Sequence, residues 1–163
     1  MLHRSTAAAA LFSLLFLVTA CAEPDPRESF AETKECVECD LNTEDFSGQD
    51  LSNAVLNRAD LSGADLSQSD LSGALLDSAN LSQANLSGAI LEKATLASAN
   101  VTEADLSGAN LSGAFLRNTD FTNADLSNAD LSNADLNGAM LDGATLDGAN
   151  LEGAMLPDGT VQN

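Results

Sequence analysis

From Leu41 to Leu156 a large apolar residue stands at every fifth position, without one insertion or deletion. Leu fills nearly all of these positions, and Phe46, Val101 and Phe121 are the exceptions. Two residues before each stands a small residue, nearly always Ala, from Ala54 and Ala59 to Ala149 and Ala154. A period of five matches neither a helix at about 3.6 residues per turn nor a strand alternating at two. A helix would scatter these leucines around its circumference. A solenoid with one side per five residues turns every Leu and every small residue inward.

The unit reads small, Asp or Asn, Leu, Ser or Thr, then a variable residue that is often Gly. "ADLSG" at Ala59 to Gly63 and "ANLSG" at Ala109 to Gly113 are the plainest copies. This pattern resembles the pentapeptide repeat family over most of the chain. The resemblance implies an all-β fold, a right-handed β-helix of square cross-section, with four units per coil and about six coils. Coils in such a solenoid stack at the usual strand separation of about 4.8 Å. "LPDGT" after Met155 resembles the closing segment of such proteins, and "TKECVECDL" resembles their opening. The solenoid is expected over 39–158, followed by a tail at 159–163. Glu44 and Gln49 occupy the small inward position in two early units. Burying an unpaired carboxylate is costly, so the first coil is expected to be distorted there, with Glu44 turned toward solvent or the N-terminal cap.

Residues preceding the central Leu point outward, and sorting them at spacing twenty separates four columns. The first reads Asp40, Asp60, Asn80, Asn100, Asp120, Met140 and the second Asp45, Asp65, Asn85, Asp105, Asp125, Thr145. The third reads Asp50, Asp70, Ile90, Asn110, Asp130, Asn150. The fourth differs: Val55, Leu75, Thr95, Phe115, Asp135, Met155. That bias supports four units per coil independently of the family resemblance. It draws an apolar ridge of Val55, Leu75, Phe115 and Met155, flanked by Ile90 and Met140, which suits a protein partner or a second copy. The same scatter is also what a narrow solenoid tolerates without any partner. The Asp and Asn columns invite a calcium reading, but the chain lacks the glycine-rich calcium repeat whose loop carbonyls complete an oxygen shell. Hydrogen bonding of Asp and Asn to the turn backbone is the expected role.

Composition narrows function further. The chain of 163 residues carries six Lys and Arg against twenty-five Asp and Glu, a formal net charge of −19. Such a surface repels phosphate backbones, so nucleic acid is not expected as a partner. The only histidine is His3, and Tyr is absent. Without a histidine in the repeat, its many serines lack the commonest activating base, so the chain reads as non-catalytic with no cofactor or metal.

The N-terminal 20 residues read as a signal peptide. Arg4 precedes an apolar run through Leu11, Leu14, Leu15, Phe16, Leu17 and Val18, too short for a membrane span of about 20 residues. Val18-Thr19-Ala20-Cys21 resembles the lipobox of bacterial lipoproteins. The resemblance implies cleavage before Cys21, diacylglycerol on its thiol and acylation of the new amino terminus. Ala22 resembles an outer-membrane sorting signal if the host is Gram-negative. An ordinary export signal, cut after Ala20 or Ala22 and leaving a periplasmic or secreted chain, is the alternative.

Residues 21–38 read as a tether and N-terminal cap. Asp25, Pro26 and Glu28 suit the start of a helix running to about Lys34, with Phe30 as its main apolar contribution. Cys36 and Cys39 have CxxC spacing. Two cysteines alone are half a zinc site, and Cys39 fills the small position before Leu41, so packing with a local disulfide is the expected role rather than a redox or metal site.

Together these features point to an exported, lipid-anchored protein of the cell envelope, its solenoid serving as interaction scaffold or spacer. Some pentapeptide repeat proteins resemble duplex DNA in shape and charge and bind DNA gyrase. That acidic DNA-mimic role is the alternative, and the export signal weighs against it.

Overall fold

In the computed structural model, the described residues are Phe30 and 32–163. The signal segment and Cys21 lie outside them. Each side of the solenoid is one tight turn. Leu51 to Ala54 is typical: the Ala54 N–H donates to the Leu51 carbonyl at 3.0 Å, and Asn53 between them has φ 58°. A positive φ at the third residue of a hydrogen-bonded turn is the type II geometry. It recurs at every fifth residue, on Gly in ten turns from Gly48 to Gly153 and elsewhere on Asn, Gln, Ser, Lys, Arg, Glu or Thr. The variable position of the repeat is therefore a left-handed position. In the last turns Gly also leaves room for the coil before: a Cβ on Gly153 would stand 2.7 Å from the Asn133 Oδ1, which would have to move aside.

Turns stack in register at spacing twenty. Parallel bridges join Glu35 to Val55, Asp40 to Asp60, Asp45 to Asp65 and Asp50 to Asp70, and continue to Asp135 and Met155. Four five-residue sides thus make one coil. Between coils each side forms three backbone hydrogen bonds. The Leu61 N–H donates to Asn80 O at 2.7 Å, the Gly63 N–H to Ser82 O at 2.9 Å, and the Asn80 N–H returns to Ala59 O at 2.9 Å. Pairing of this density leaves the buried turns with few orphan polar groups, as burial demands.

Inside, the central residues from Leu56 to Leu136 and the Ala residues two positions earlier are shut away from solvent. Burying one Leu contributes about 1.5 to 3 kcal/mol, so this repeated column supplies most of the apolar stabilisation. Its exceptions compensate one another. Val101 and Phe121 are consecutive occupants of one column, so a deficit of volume sits beside an excess, and both are fully buried. Ser69 and Thr119 take the small position and satisfy their hydroxyls on backbone carbonyls, Ser69 Oγ on Leu66 O of its own coil and Thr119 Oγ1 on Leu96 O of the coil before, each at 2.7 Å.

The expected distortion of the first coil is absent. Phe46 N–H reaches Asp65 O and Leu51 N–H reaches Asp70 O, both at 2.7 Å, and the Asp45 and Asp50 bridges keep register. Glu44 is half-buried, and Gln49 is exposed with its amide donating to Asp45 O at 3.2 Å. At the end of the stack, the inward position is only partly roofed. A polar side chain there keeps access to water, and the backbone needs no adjustment.

Phe30, Glu32 and Thr33 are helical, and the Lys34 N–H closes on Phe30 O at 2.8 Å. Phe30 is buried, its ring edge-on to Phe46 with centroids 5.5 Å apart. At the other end the tail doubles back. Met155 bridges Val161 in antiparallel sense, Gln162 N–H donates to Ala154 O and Gly153 N–H to Gln162 O. Ala154 is fully buried as a result. Leu141, Leu146 and Leu151 have no further coil over them and are only half-buried.

Candidate interaction surface

The outward surface is built from the residue before each Leu and the residue after it. On three sides these are Asp or Asn followed mostly by Ser or Thr, and they form one device. Asp60 Oδ1 accepts the Ser62 N–H at 3.0 Å, Asp70 Oδ1 the Ser72 N–H at 2.9 Å, and Asn110 Oδ1 the Ser112 N–H at 3.0 Å. This Asx bond satisfies the first N–H of each turn, which the backbone cannot reach. The serine hydroxyl often adds a second bond, as from Ser52 Oγ to Asp50 at 2.6 Å. The hydroxyls of Ser47, Ser127 and Thr160, then their N–H groups, hold Asp45, Asp125 and Asp158 below the usual carboxylate range. The Ser62 hydroxyl does the same for Asp60 against the cost of burial, and Asp50 is lowered by Ser52 and Lys34. Where Asn follows Asp in a column, the amide bridges coils, as from Asn80 Nδ2 to Asp60 at 2.9 Å and Asn150 Nδ2 to Asp130 at 3.0 Å. The turn-capping role expected of these residues is what the geometry shows. Among the described residues, no group of three or more His, Cys, Asp or Glu is placed to hold a metal.

The fourth side departs from this scheme. Val55, Leu75, Thr95, Phe115, Asp135 and Met155 form one continuous ladder of parallel bridges. Phe115 is 51% exposed and Leu75 38%, while Val55 and Met155 are half-buried. Ile90 and Met140 are also exposed, but they belong to the third and first ladders, so they stand round the two corners rather than on the ridge itself. With an apolar residue before the Leu, the Asx bond is lost, and a different one replaces it. Asn57 Oδ1 accepts the Asp77 N–H at 3.0 Å, and Asp77 Oδ1 accepts the Ala97 N–H at 2.9 Å, each from one coil to the next.

Charge is also distributed unevenly. Arg58 and Arg117 lie on the fourth side and Lys93 at the corner leading into it. Arg58 pairs with Glu38 at 2.8 Å and Arg117 with Asp135 at 2.6 Å. The second side, opposite, carries Asp45, Asp65, Asp105, Asp125 and Asp147 with no cation. Neither the cross-coil caps nor the gathering of cations was found from sequence. The residue after each Leu, sorted at spacing twenty, carries the first signal and part of the second: Asn57, Asp77, Ala97, Arg117, Asn137 and Pro157 stand where the other sides have mostly Ser or Thr, and Arg58 stands one residue further on.

Cys36 and Cys39 form a disulfide, with Cα atoms 5.6 Å apart. They are the first and fourth residues of a turn, at the positions where later turns have Leu and Ala. Cys36 is buried and Cys39 half-buried, so the bridge lies inside the solenoid and replaces a Leu–Ala contact. Among the described residues, no helix is long and apolar enough to cross a membrane.

The family model described as Pentapeptide repeats (8 copies) matches residues 39–77, 74–113, 99–138 and 119–156. The chain belongs to the pentapeptide repeat family. That membership implies the right-handed quadrilateral β-helix for the four-sided stack described above. Pentapeptide repeat proteins are generally structural or interaction proteins. Among solved structures, the chain is similar to QnrB1, a plasmid-mediated fluoroquinolone resistance protein, at 25% identity and a TM-score of 0.50, over 75% of this chain and 70% of that one. It is similar to Rfr23, a pentapeptide repeat protein from the cyanobacterium Cyanothece 51142, at 25% identity and TM-score 0.48, over 85% and 97%. It is 32% identical to HetL, a pentapeptide repeat protein involved in heterocyst differentiation regulation from Nostoc sp. strain PCC 7120, over 78% and 74%, with TM-score 0.27. No curated protein matched.

Proposed function

We propose that this pentapeptide repeat protein is a non-catalytic, exported lipoprotein whose solenoid, about six coils closed at its start by the short helix bearing Phe30, serves as an interaction scaffold in the cell envelope. The observation that carries the scaffold reading is the fourth ladder: Leu75 and Phe115 stand exposed in one line with half-buried Val55 and Met155, while the other three ladders are mostly turn-capping Asp and Asn. Export and anchoring rest on the segment ending Val18-Thr19-Ala20-Cys21. Two or three acyl chains at Cys21 would hold the protein on a membrane far better than one. The Cys36–Cys39 bridge agrees with an oxidising compartment. Metabolic labelling with palmitate tests the anchor. Wild-type chain labels and fractionates with membranes, and Cys21→Ser loses both; a Cys21→Ser variant that still labels overturns the anchor.

A second reading is favoured by the acidic first, second and third sides: an acidic DNA mimic that binds DNA gyrase. Tagged full-length chain found in the cytoplasm, together with gyrase capture that survives Cys21→Ser, selects this reading over the first.

A further inference from the structure

We propose that the fourth side is a self-association surface, on which two copies pack ladder against ladder about a two-fold axis parallel to the solenoid axis. The apolar contribution comes from Leu75 and Phe115, exposed, and from Val55 and Met155, half-buried, all on one line of bridges. Ala97 and Pro157 extend it at positions where the other sides present Ser, Thr, Asp or Glu. Apolar side chains aligned on one face form the kind of patch that serves as a contact surface.

Charge selects the occupant. At a net −19, two copies repel through most of their surface. The first side presents Asp40, Asp60, Glu103, Asp120 and Asp142 without a cation, and the second side is the same in kind. The fourth side sets Arg58 and Arg117 against Glu35, Glu38, Asp77, Asp135 and Asp158. It carries the smallest acidic excess of the four sides, so a second, equally acidic copy meets the least repulsion there. A basic partner would instead be drawn to the three acidic sides. The N–H groups of Asp77 and Ala97 are already satisfied within the face, by Asn57 and Asp77. Excluding water from these rungs therefore strands neither donor.

The direction of the axis rests on the lipid-anchored reading above, since one membrane sets both N-termini at the same level. Copies lying parallel then place each rung against itself: Leu75 on Leu75 of the second copy, Phe115 on Phe115. Such an isologous contact closes at two and does not propagate into a fibre.

The experiment is oxidative cross-linking of the full chain in intact cells, with wild type as background. Leu75→Cys and Phe115→Cys, made separately, are each expected to give a covalent dimer on a non-reducing gel. Asn85→Cys, on the opposite side, is expected to give none. Leu75→Glu with Phe115→Glu should remove the dimer formed by Val55→Cys, with a thermal melt confirming that these exposed substitutions leave the fold intact. Dimers at only one of the two positions overturn the parallel arrangement. Dimers at neither, or a cross-link from Phe115→Cys to a different protein instead, overturn self-association. Fractionation of the same cells separates the two ideas: chain that is soluble yet cross-links refutes the anchor, and chain that is membrane-bound without cross-links refutes the dimer.

Discussion

At its N-terminal end the solenoid buries Phe30 to 3% exposure against Phe46, and a disulfide spans the first turn. At its C-terminal end the tail covers one side of the last coil and leaves Leu141, Leu146 and Leu151 half-buried. The five-residue period runs unbroken to both ends, yet the ends differ in how much of the core they shield. Burial in a solenoid is thus not a property of the unit. It belongs to the pair of coils on either side of it, as nearest-neighbour stability requires.

The largest expected effect is at the closed end. Phe30→Ala should cost about 3 to 5 kcal/mol, the range for truncating a buried aromatic, whereas Leu151→Ala should cost well below the about 2 to 5 kcal/mol of a fully buried Leu. Urea unfolding of the two variants checks this, and equal losses would break the comparison.

Overpacking should separate the middle from the open end. Ala104→Leu enlarges a corner enclosed by coils above and below, at an expected cost of about 1 to 3 kcal/mol. Ala144→Leu enlarges the same corner where no coil follows, and its melting temperature should stay at or above that of wild type.

The Cys36–Cys39 bridge closes so short a loop that reducing it removes a chain-entropy contribution of about 2 kcal/mol at most. Hydrogen exchange should accelerate at the Cys36 and Glu38 amides, which donate to Val55 O and Asn57 O. Amides of the last coil should be unmoved.

The smallest effect concerns the Asx carboxylates. Asp45, Asp60 and Asp125 have folded-state values below their unfolded ones. Their contribution is fully present above the unfolded value near about 3.9 and is lost as pH falls through the folded value. Asp60→Asn keeps an acceptor for the Ser62 N–H but cannot titrate, so its melting temperature should fall less steeply than wild type below about pH 4.

Much of this was legible because the repeat is strict. Leu and Ala at period five specify an interior, and sorting at twenty locates the ladder of Val55, Leu75, Phe115 and Met155 from the sequence alone. The Asp and Asn columns were read correctly as turn caps because their chemistry is local, reaching only two residues along the chain. Glu44 and Gln49 were misjudged because an inward position was equated with a buried one. The bonds from Asn57 to Asp77 and on to Ala97 were missed because they join residues twenty apart whose types carry no obvious complementarity.

The sequence by itself determined the unit, the inward and outward positions, and the left-handed slot that Gly and Asn fill, since each depends on contacts within one turn. Only the tertiary structure decided which inward side chains are enclosed, that Leu75 and Phe115 stand exposed while Val55 and Met155 are half-buried, and which carboxylates meet Arg58 and Arg117. Those outcomes depend on neighbouring coils and on the ends of the stack, where a repeating pattern stops having neighbours on both sides.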